Sequence, residues 1–402
     1  MPGLRVAVVS TFFPNASAPY RTLFVRHLVN AIAERASVRV IAPLAYAPPW
    51  PPRARWLALR AVPSVERQGA LEVEHPRYMV IPGIGSISGR SYARAISPSL
   101  ERLVRAGEVD VIHAHCAYPD AVGVSLVARR LGVPFVVTAH GSDINVYSQR
   151  ATLRGQIRRA LLGASAVIAV SEALRARIEV LAPEIAGRVA CIPCCGVTPS
   201  MFHVADRATA RATLGLDPQA RVVLFVGNLV PIKGVDTLLA AWTQLLGSGR
   251  VTPADRLALI GDGPLRARFE SAAAAAGMQG TVRVLGARPQ AEIAVWMQAA
   301  SLLSLSSQHE GMPNVVVEAL ASGLPVVATA VGGVPELVQE GVNGYLVPSG
   351  EVGNMADALA AGFARMWDAV QIADTAAGYN WANLAARNLD LLSRAVQTAT
   401  TR

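Results

Sequence analysis

Short apolar runs rich in Val and Ile alternate with helix-length stretches along nearly the whole chain, and that alternation leaves few architectures open. In the first half the runs are "LRVAVVS", "VRVIAP", "DVIHAH", "PFVVTAH" and "AVIAVS". In the second half they are "VVLFVG", "LALIG", "VRVLG", "SLLSLS", "PVVATA" and "GYLVP". Strands that are apolar on both faces belong to parallel sheets covered by helices on both sides. The pattern occurs twice, so the expected fold is α/β with two Rossmann-like, doubly wound domains. The stretch "CCGVTPSMFHVADRATARATLGLD" loses strand character and marks a junction near 195–215. The expected domains are therefore 1–198 and 199–375. The remainder, 376–402, carries the amphipathic "YNWANLAARNLDLLSRAVQ" and is expected to return across the junction as a helix.

Composition fits two packed domains. The 402 residues are 52% hydrophobic and 16% charged, which excludes a disordered chain. No uninterrupted apolar run reaches the roughly 18 residues of a membrane span. The opening "MPGLRVAVVS" is strand-sized and lacks a signal-peptide plan, so the chain is expected to stay in the cytoplasm. Cys116, Cys191, Cys194 and Cys195 are too few for a disulfide framework. "CIPCC" has a C-x-x-C spacing, but no second pair or nearby His pair completes a zinc set, so buried thiols are expected.

Charge is uneven. The first 200 residues hold 23 Arg against 12 acids, and the remainder holds 14 basic residues against 16 acids. The first half is therefore expected to meet something anionic, such as the inner face of a membrane, a lipid phosphate or an acidic glycan, unless the charge is only a solvated face. The Pro-rich "YAPPWPPRARWLALRAVPS" reads as an exposed, mobile excursion and a surface-binding patch. No interleaved basic and aromatic element accompanies the charge, so nucleic acid is not an expected partner.

The 37 basic side chains include a single lysine, Lys233, in "FVGNLVPIKG". It follows a strand, where an ammonium offers a compact point charge to a leaving diphosphate without a metal. The second constellation is "SLLSLSSQHEGMPNVVVEALASGLPVVATAVGGVPELV", with Glu310 before a helix expected from about Val315 and Glu318 on its first turn. Ligands of open α/β sheets sit outside the carboxyl ends of strands, and a helix N-terminus offers free N–H groups to phosphate. Gly311 permits close backbone approach, while Pro313 and Asn314 suit helix entry. Carboxylates on either side of such an anion site suit sugars on either side of a diphosphate. Neither a G-x-x-x-x-G-K-[ST] loop nor a strand-following G-x-G-x-x-G occurs. "GDGP" at Gly261–Pro264 is either a turn or a ligand-approaching loop. His113 and His115 lie two apart on one strand face. A metal there would need Asp110 or Asp120 as well, and none is expected.

In order along almost the full chain, "VVTAHGSDIN", "ASAVIAVSEALRARI", "FVGNLVPIKGVDTLL", "LIGDGPL" and "SSQHEGMPNVVVEALASGLPVVATAVGGVPELVQEGVNGYLVPSG" resemble the retaining GT-B glycosyltransferases of family 4. The opening "STFFPNASAPYRTLFVRHLVNAIA" further resembles enzymes of bacterial exopolysaccharide or cell-wall glycan assembly. The resemblance implies a GT-B fold with an interdomain cleft and hexosyl transfer from a nucleotide diphosphate sugar to a glycan or lipid-linked acceptor, without metal or other cofactor. Glu310 would bind hydroxyls of the donor hexose and Glu318 the nucleotide ribose. Lys233 would bind the diphosphate. The backbone at Gly311, Met312, Pro313 and Asn314 would hold sugar and phosphate, and Arg288 would edge the base. His140 would approach the reacting sugar, while Asn15, Tyr20 and Arg21 would line the acceptor side.

Two departures stand out. Asn228 occupies the place of an arginine usual in the family, a loss of about 1.5–3 kcal/mol if that charged hydrogen bond is not replaced. "CIPCCGVTP" replaces the usual "IPNGVD". The same fold also serves nucleotide-sugar 2-epimerases, and a non-catalytic nucleotide-sugar-binding subunit would share the motifs. A phosphorylase would need pyridoxal phosphate on a lysine other than Lys233.

Overall fold

The computed structural model describes residues 3–19, 22–46, 54–80, 85–275, 278 and 280–400. It divides into two units, Met1–Cys194 with Trp381–Arg402, and Cys195–Asn380. The boundaries expected from the sequence were 198/199 and 375/376.

The first unit contains β1 (Arg5–Ser10), β2 (Ser37–Ile41), β3 (Leu44–Tyr46), β4 (Val65–Gln68), β5 (Leu71–Glu74), β6 (Arg77–Met79), β7 (Val111–His115), β8 (Phe135–Ala139), β9 (Ala166–Ala169) and β10 (Val189–Cys191). Eight of them form one sheet in the order β10-β9-β8-β7-β1-β2-β5-β4, and β3 pairs with β6 separately. Only the β4–β5 pair runs antiparallel. The five strands read from apolar runs are the centre of this sheet. The sequence reading missed β4 because "VERQ" carries edge-strand charges, β5 because "LEVE" alternates charged with apolar residues, and β10 because it has only three residues. The Pro-rich excursion differs from expectation too. Residues 47–53 lie outside the described ones, while Ala54–Ala61 is a helix and Leu44–Tyr46 a strand. The C-terminal helix Trp381–Thr400 belongs to this unit, and its Leu392 and Ala395 join a core with Val6, Val8, Val111 and Val136.

The second unit contains β11 (Val222–Val226), β12 (Arg256–Ile260), β13 (Val282–Gly286), β14 (Leu302–Leu305), β15 (Val326–Thr329) and β16 (Gly344–Val347). They form one parallel sheet, in the order β13-β12-β11-β14-β15-β16. Successive residues of β11 feed opposite cores. Val222 and Leu224 pack on one side, and Val223 and Phe225 on the other. That two-sided burial is why the run is apolar throughout, each buried Val, Leu or Phe contributing roughly 1.5–3 kcal/mol.

Each sheet reverses its winding once, between β1 and β7 in the first and between β11 and β14 in the second. Loops leaving the carboxyl ends of the two strands at such a switch point diverge and leave a crevice. The chemistry-bearing residues of both units gather there.

Candidate functional site

In the second unit, Lys233 ends a short helical turn after β11, and Glu310 lies in the loop after β14. Because these strands are hydrogen-bonded neighbours, the loops meet side by side and not across the sheet. Lys233 Nζ donates to Glu310 Oε1 at 2.6 Å, and Ser307 Oγ donates to the same oxygen at 2.6 Å. Both bonds fall on Oε1, so Oε2 is left to accept a hydroxyl. The ammonium carries three donors, so two remain for other oxygens. The side chains are 23% and 10% exposed, sheltered but reachable.

The loops are braced by backbone. Gln308 N donates to Ile232 O at 2.8 Å, and Ser306 Oγ donates to Lys233 O at 3.1 Å. Thr329 Oγ1, on β15, donates to Ser307 O at 2.6 Å. Gly234 has φ +61°, and a Cβ there would sit 2.0 Å from Ser306 O, so only glycine lets the loops close this tightly. The turn at Gly261–Pro264 is part of this bracing, since Leu229 N donates to Asp262 O at 2.9 Å.

Gly311, Met312 and Pro313 lead from Glu310 into the helix Asn314–Ala321, and no side chain caps its N-terminus. Its first N–H groups are thus available to an anion. Asn314 Oδ1 is buried with no hydrogen-bond partner among the described residues. Glu318 is the fifth helical residue and stands on the second turn, not the first as expected, because the helix starts one residue early. Gln290 Nε2 donates to Glu318 Oε1 at 3.1 Å. Burial pushes the Glu318 carboxyl up to about 7, against the opposing pull of that hydrogen bond. Arg288 is exposed in the loop before the helix Gln290–Ala299 and pairs with Glu292 of that helix at 3.5 Å. Asn228 is exposed, and its carbonyl accepts from Val230 N at 2.9 Å. Ser307 and Gln290 went unread as partners of the two glutamates. Their only signal is nearness in sequence to Glu310 and Arg288.

The first unit gathers a different set. His113 and His115 face the same side of β7, with ring centroids 4.2 Å apart. His140, just past β8, brings its Nε2 within 3.3 Å of His115 Nδ1 and packs against Phe12 and Phe24. His113 Nε2 meets Thr138 Oγ1 at 2.8 Å. Asp143 holds the His140 loop, accepting from Ala117 N at 2.7 Å, Gly141 N at 2.8 Å and His140 N at 3.2 Å. Burial, with a smaller contribution from His140, lowers His113 to about 3. Burial lowers His140 to about 4, opposed by Asp143. Asp120 is buried beside Thr11 and is raised to about 8 by desolvation, although Thr11 N donates to it at 2.9 Å.

Asp110 cannot join the histidines as a metal ligand. It lies at the start of β7, fastened to Arg5. Among the described residues no cluster of three or more His, Cys, Asp or Glu could hold a metal ion. None of the four cysteines is in a disulfide. Cys116, Cys194 and Cys195 are buried and Cys191 is partly exposed, and burial raises the Cys194 thiol to about 12. Asn15 is buried and its Oδ1 accepts from Ser17 at 2.7 Å, while Tyr20 and Arg21 lie outside the described residues.

Two mostly parallel sheets, each with polar groups at its switch point, define a double-Rossmann protein. The sequence model of glycosyl transferases group 1 matches residues 220–364, and that of Glycosyltransferase Family 4 matches residues 21–197. The chain is 32% identical over 326 residues to D-inositol 3-phosphate glycosyltransferase of Streptosporangium roseum, covering 74% of this chain and 72% of that protein. It is 36% identical over 251 residues to the enzyme of the same name from Segniliparus rotundus, a match spanning 60% of this chain and 55% of that relative. Sucrose-phosphate synthase of Thermosynechococcus elongatus shares the fold, with TM-score 0.77, 23% identity and coverage of 98% and 100% of the two chains. The chain belongs to the group 1 glycosyl transferases of family 4 and has GT-B architecture. No helix among the described residues is long and apolar enough to cross a membrane.

Proposed function

We propose that this enzyme moves a hexosyl group from a nucleoside diphosphate sugar to a hydroxyl of a glycan or lipid-linked glycan, with retention of anomeric configuration. The observation carrying this reading is the meeting of Lys233, Glu310 and the uncapped helix at Asn314 on the second sheet's switch point. The diphosphate takes the free donors of Lys233 and the first amides of that helix. Glu310 Oε2 accepts from hydroxyls of the hexose, while Glu318, four residues into the helix from Asn314, takes the ribose diol. As the bond from the anomeric carbon to the phosphate oxygen breaks, negative charge grows on the diphosphate. A preplaced ammonium and helix amides stabilise it without reorganising. The departing phosphate oxygen accepts the proton of the incoming hydroxyl. No metal is assigned to this work.

His140 is assigned to the reacting sugar on the family resemblance. Its low basicity makes it a hydrogen-bonding group and not a cation at neutral pH. Asn15 is assigned to the acceptor side on the same ground. The name of the relatives keeps a phosphorylated polyol such as inositol 3-phosphate in view as an acceptor.

The test is a panel of uridine, guanosine and adenosine diphosphate sugars, screened by thermal shift. The stabilising donor is then incubated with glycan, lipid-linked and inositol phosphate acceptors, and the product is read by NMR. An axial donor giving an axial product supports retention, and an inverted product removes it. Conversion of the donor to its 2-epimer with no acceptor present would identify the epimerase instead. Binding without any turnover would identify a non-catalytic subunit.

A further inference from the structure

Two adjoining grooves on the first unit have no place in the transfer reaction. One, of about 950 Å³, is lined by Arg77, Arg90, Arg94 and Arg159. The other, of about 620 Å³, is lined by Arg129, Arg159 and Arg188. They share Ser125, Leu126 and Arg159, so they form one continuous surface. The second includes Pro134, Phe135 and Ser165, at the amino ends of β8 and β9. That is the opposite end of the sheet from His140.

Among the described residues, six arginines line this surface and no carboxylate does. Arg77 and Arg188 are spent on backbone carbonyls, of Leu59 and Val62 and of Ala164 and Leu162. The other four are exposed. Arg159 donates only to Gly155 O at 3.1 Å on its own helix, and Arg90, Arg94 and Arg129 make no ion pair among the described residues. Elsewhere in the unit Arg5, Arg39, Arg102, Arg105, Arg130 and Arg158 are each salt-bridged to an acid, while other arginines with no ion pair among the described residues, such as Arg35 and Arg154, line neither groove. Unpaired guanidinium groups crowded together repel one another, and the repulsion is relieved by an external anion.

The same surface is unusually apolar at its rim. Tyr46 is 40% exposed, Met79 46%, Ile87 42% and Leu126 51%, and all four line the larger groove. A soluble polyanion would satisfy the arginines and leave these side chains in water. A phospholipid interface satisfies both, with headgroup phosphates meeting the guanidinium groups and the acyl boundary receiving the apolar tips. We propose that this face of the first unit docks the protein on a bilayer of anionic phospholipid. The proposal is independent of the transferase reading, because vesicle binding is measured without turnover.

The experiment is sedimentation of the full chain with vesicles of phosphatidylcholine alone or mixed equally with phosphatidylglycerol, at about the ionic strength where the Debye length is 10 Å. The expected result is at least tenfold tighter partitioning onto the anionic vesicles. The variant Arg90→Glu/Arg94→Glu/Arg129→Glu is expected to lose at least tenfold, with its melting temperature and circular dichroism unchanged. Should that variant misfold, the single changes Arg94→Gln and Arg129→Gln carry the same expectation at severalfold each. A second variant, Met79→Ser/Leu126→Ser, is expected to weaken vesicle binding severalfold and leave binding to inorganic polyphosphate unaltered. Equal partitioning onto both vesicles, no binding to either, or arginine variants that bind like the parent would overturn the proposal. So would serine variants that bind vesicles like the parent, since the surface would then be a site for soluble polyanions.

Discussion

At the switch point of the first sheet, His113, His115 and His140 stack within reach of one another and burial keeps all three far less basic than a free imidazole. Asp120, buried beside Thr11, is raised to about 8, so it is mostly protonated at neutral pH. At the switch point of the second sheet, Lys233 and Glu310 keep opposite charges 2.6 Å apart and partly exposed. The topology is the same, while the treatment of charge is opposite. Desolvation decides the difference. Lys233 keeps its ammonium where water reaches it, whereas His113 and His115 lie where water is excluded.

The sharpest break in that contrast is Lys233→Ala. If the ammonium stabilises charge developing on the diphosphate, kcat should fall about 10²–10³-fold. Ser307 still holds Glu310, and the ion pair is partly exposed, so stability should fall by only roughly 1 kcal/mol. Steady-state turnover with the stabilising donor, alongside a thermal melt, measures both. Unchanged kcat in a folded variant would leave the second switch point without a charge-stabilising role.

Much of the second site was legible because its parts are local in sequence. A lone lysine after a strand, a glycine behind it and a carboxylate before a helix all sit within loops a few residues long. The physics of strand ends and helix starts then places them. The strand order at β11 and β14, which brings those loops to adjacent positions, is a long-range fact no single stretch carries. In the first unit the period of a strand put His113 and His115 on one face. It did not reveal that His140 would contact His115, or that Asp143 would brace the loop through three backbone N–H groups. The edge strand β4 and its neighbour β5 escaped notice because their alternating charges erase the apolar signal, and those of β4 protect an open sheet edge.

The first switch point is tested by acid. His113 has a folded pKa of about 3 against an ordinary value near 6.5. The unfolded chain therefore binds more protons across that window. Stability is full above about pH 6.5 and is lost as pH falls toward 3–4. Two units of acidification cost roughly 2–3 kcal/mol per fully buried histidine. Hydrogen exchange of the β7 and β8 amides, compared at pH 7 and 4.5, should show that loss, and His113→Gln should reduce it. Protection that stays constant across this range would mean the cluster takes up protons without unfolding, and the contrast between neutral and charged sites would fail.

Glu318 is the residue where the two treatments of charge meet. It belongs to the charged site, yet burial raises it to about 7 and makes it half protonated at neutral pH. Its folded pKa lies above the unfolded one, so the folded state binds the extra proton between about pH 4.5 and 7, and stability declines as pH rises through that range. Nucleotide binding should run the other way, because the ionised carboxylate is the stronger acceptor for a ribose diol. The ionised fraction rises about tenfold between pH 6 and 8 for a pKa of 7, which bounds the gain in affinity at about tenfold. Titration of the nucleoside diphosphate at both pH values measures that gain. Glu318→Gln should bind more weakly at pH 8, lose the Glu318 component of the pH dependence and melt higher at pH 8. If the variant keeps the parent's pH profile, the titrating group lies elsewhere, and Glu318 serves as a neutral spacer beside Gln290.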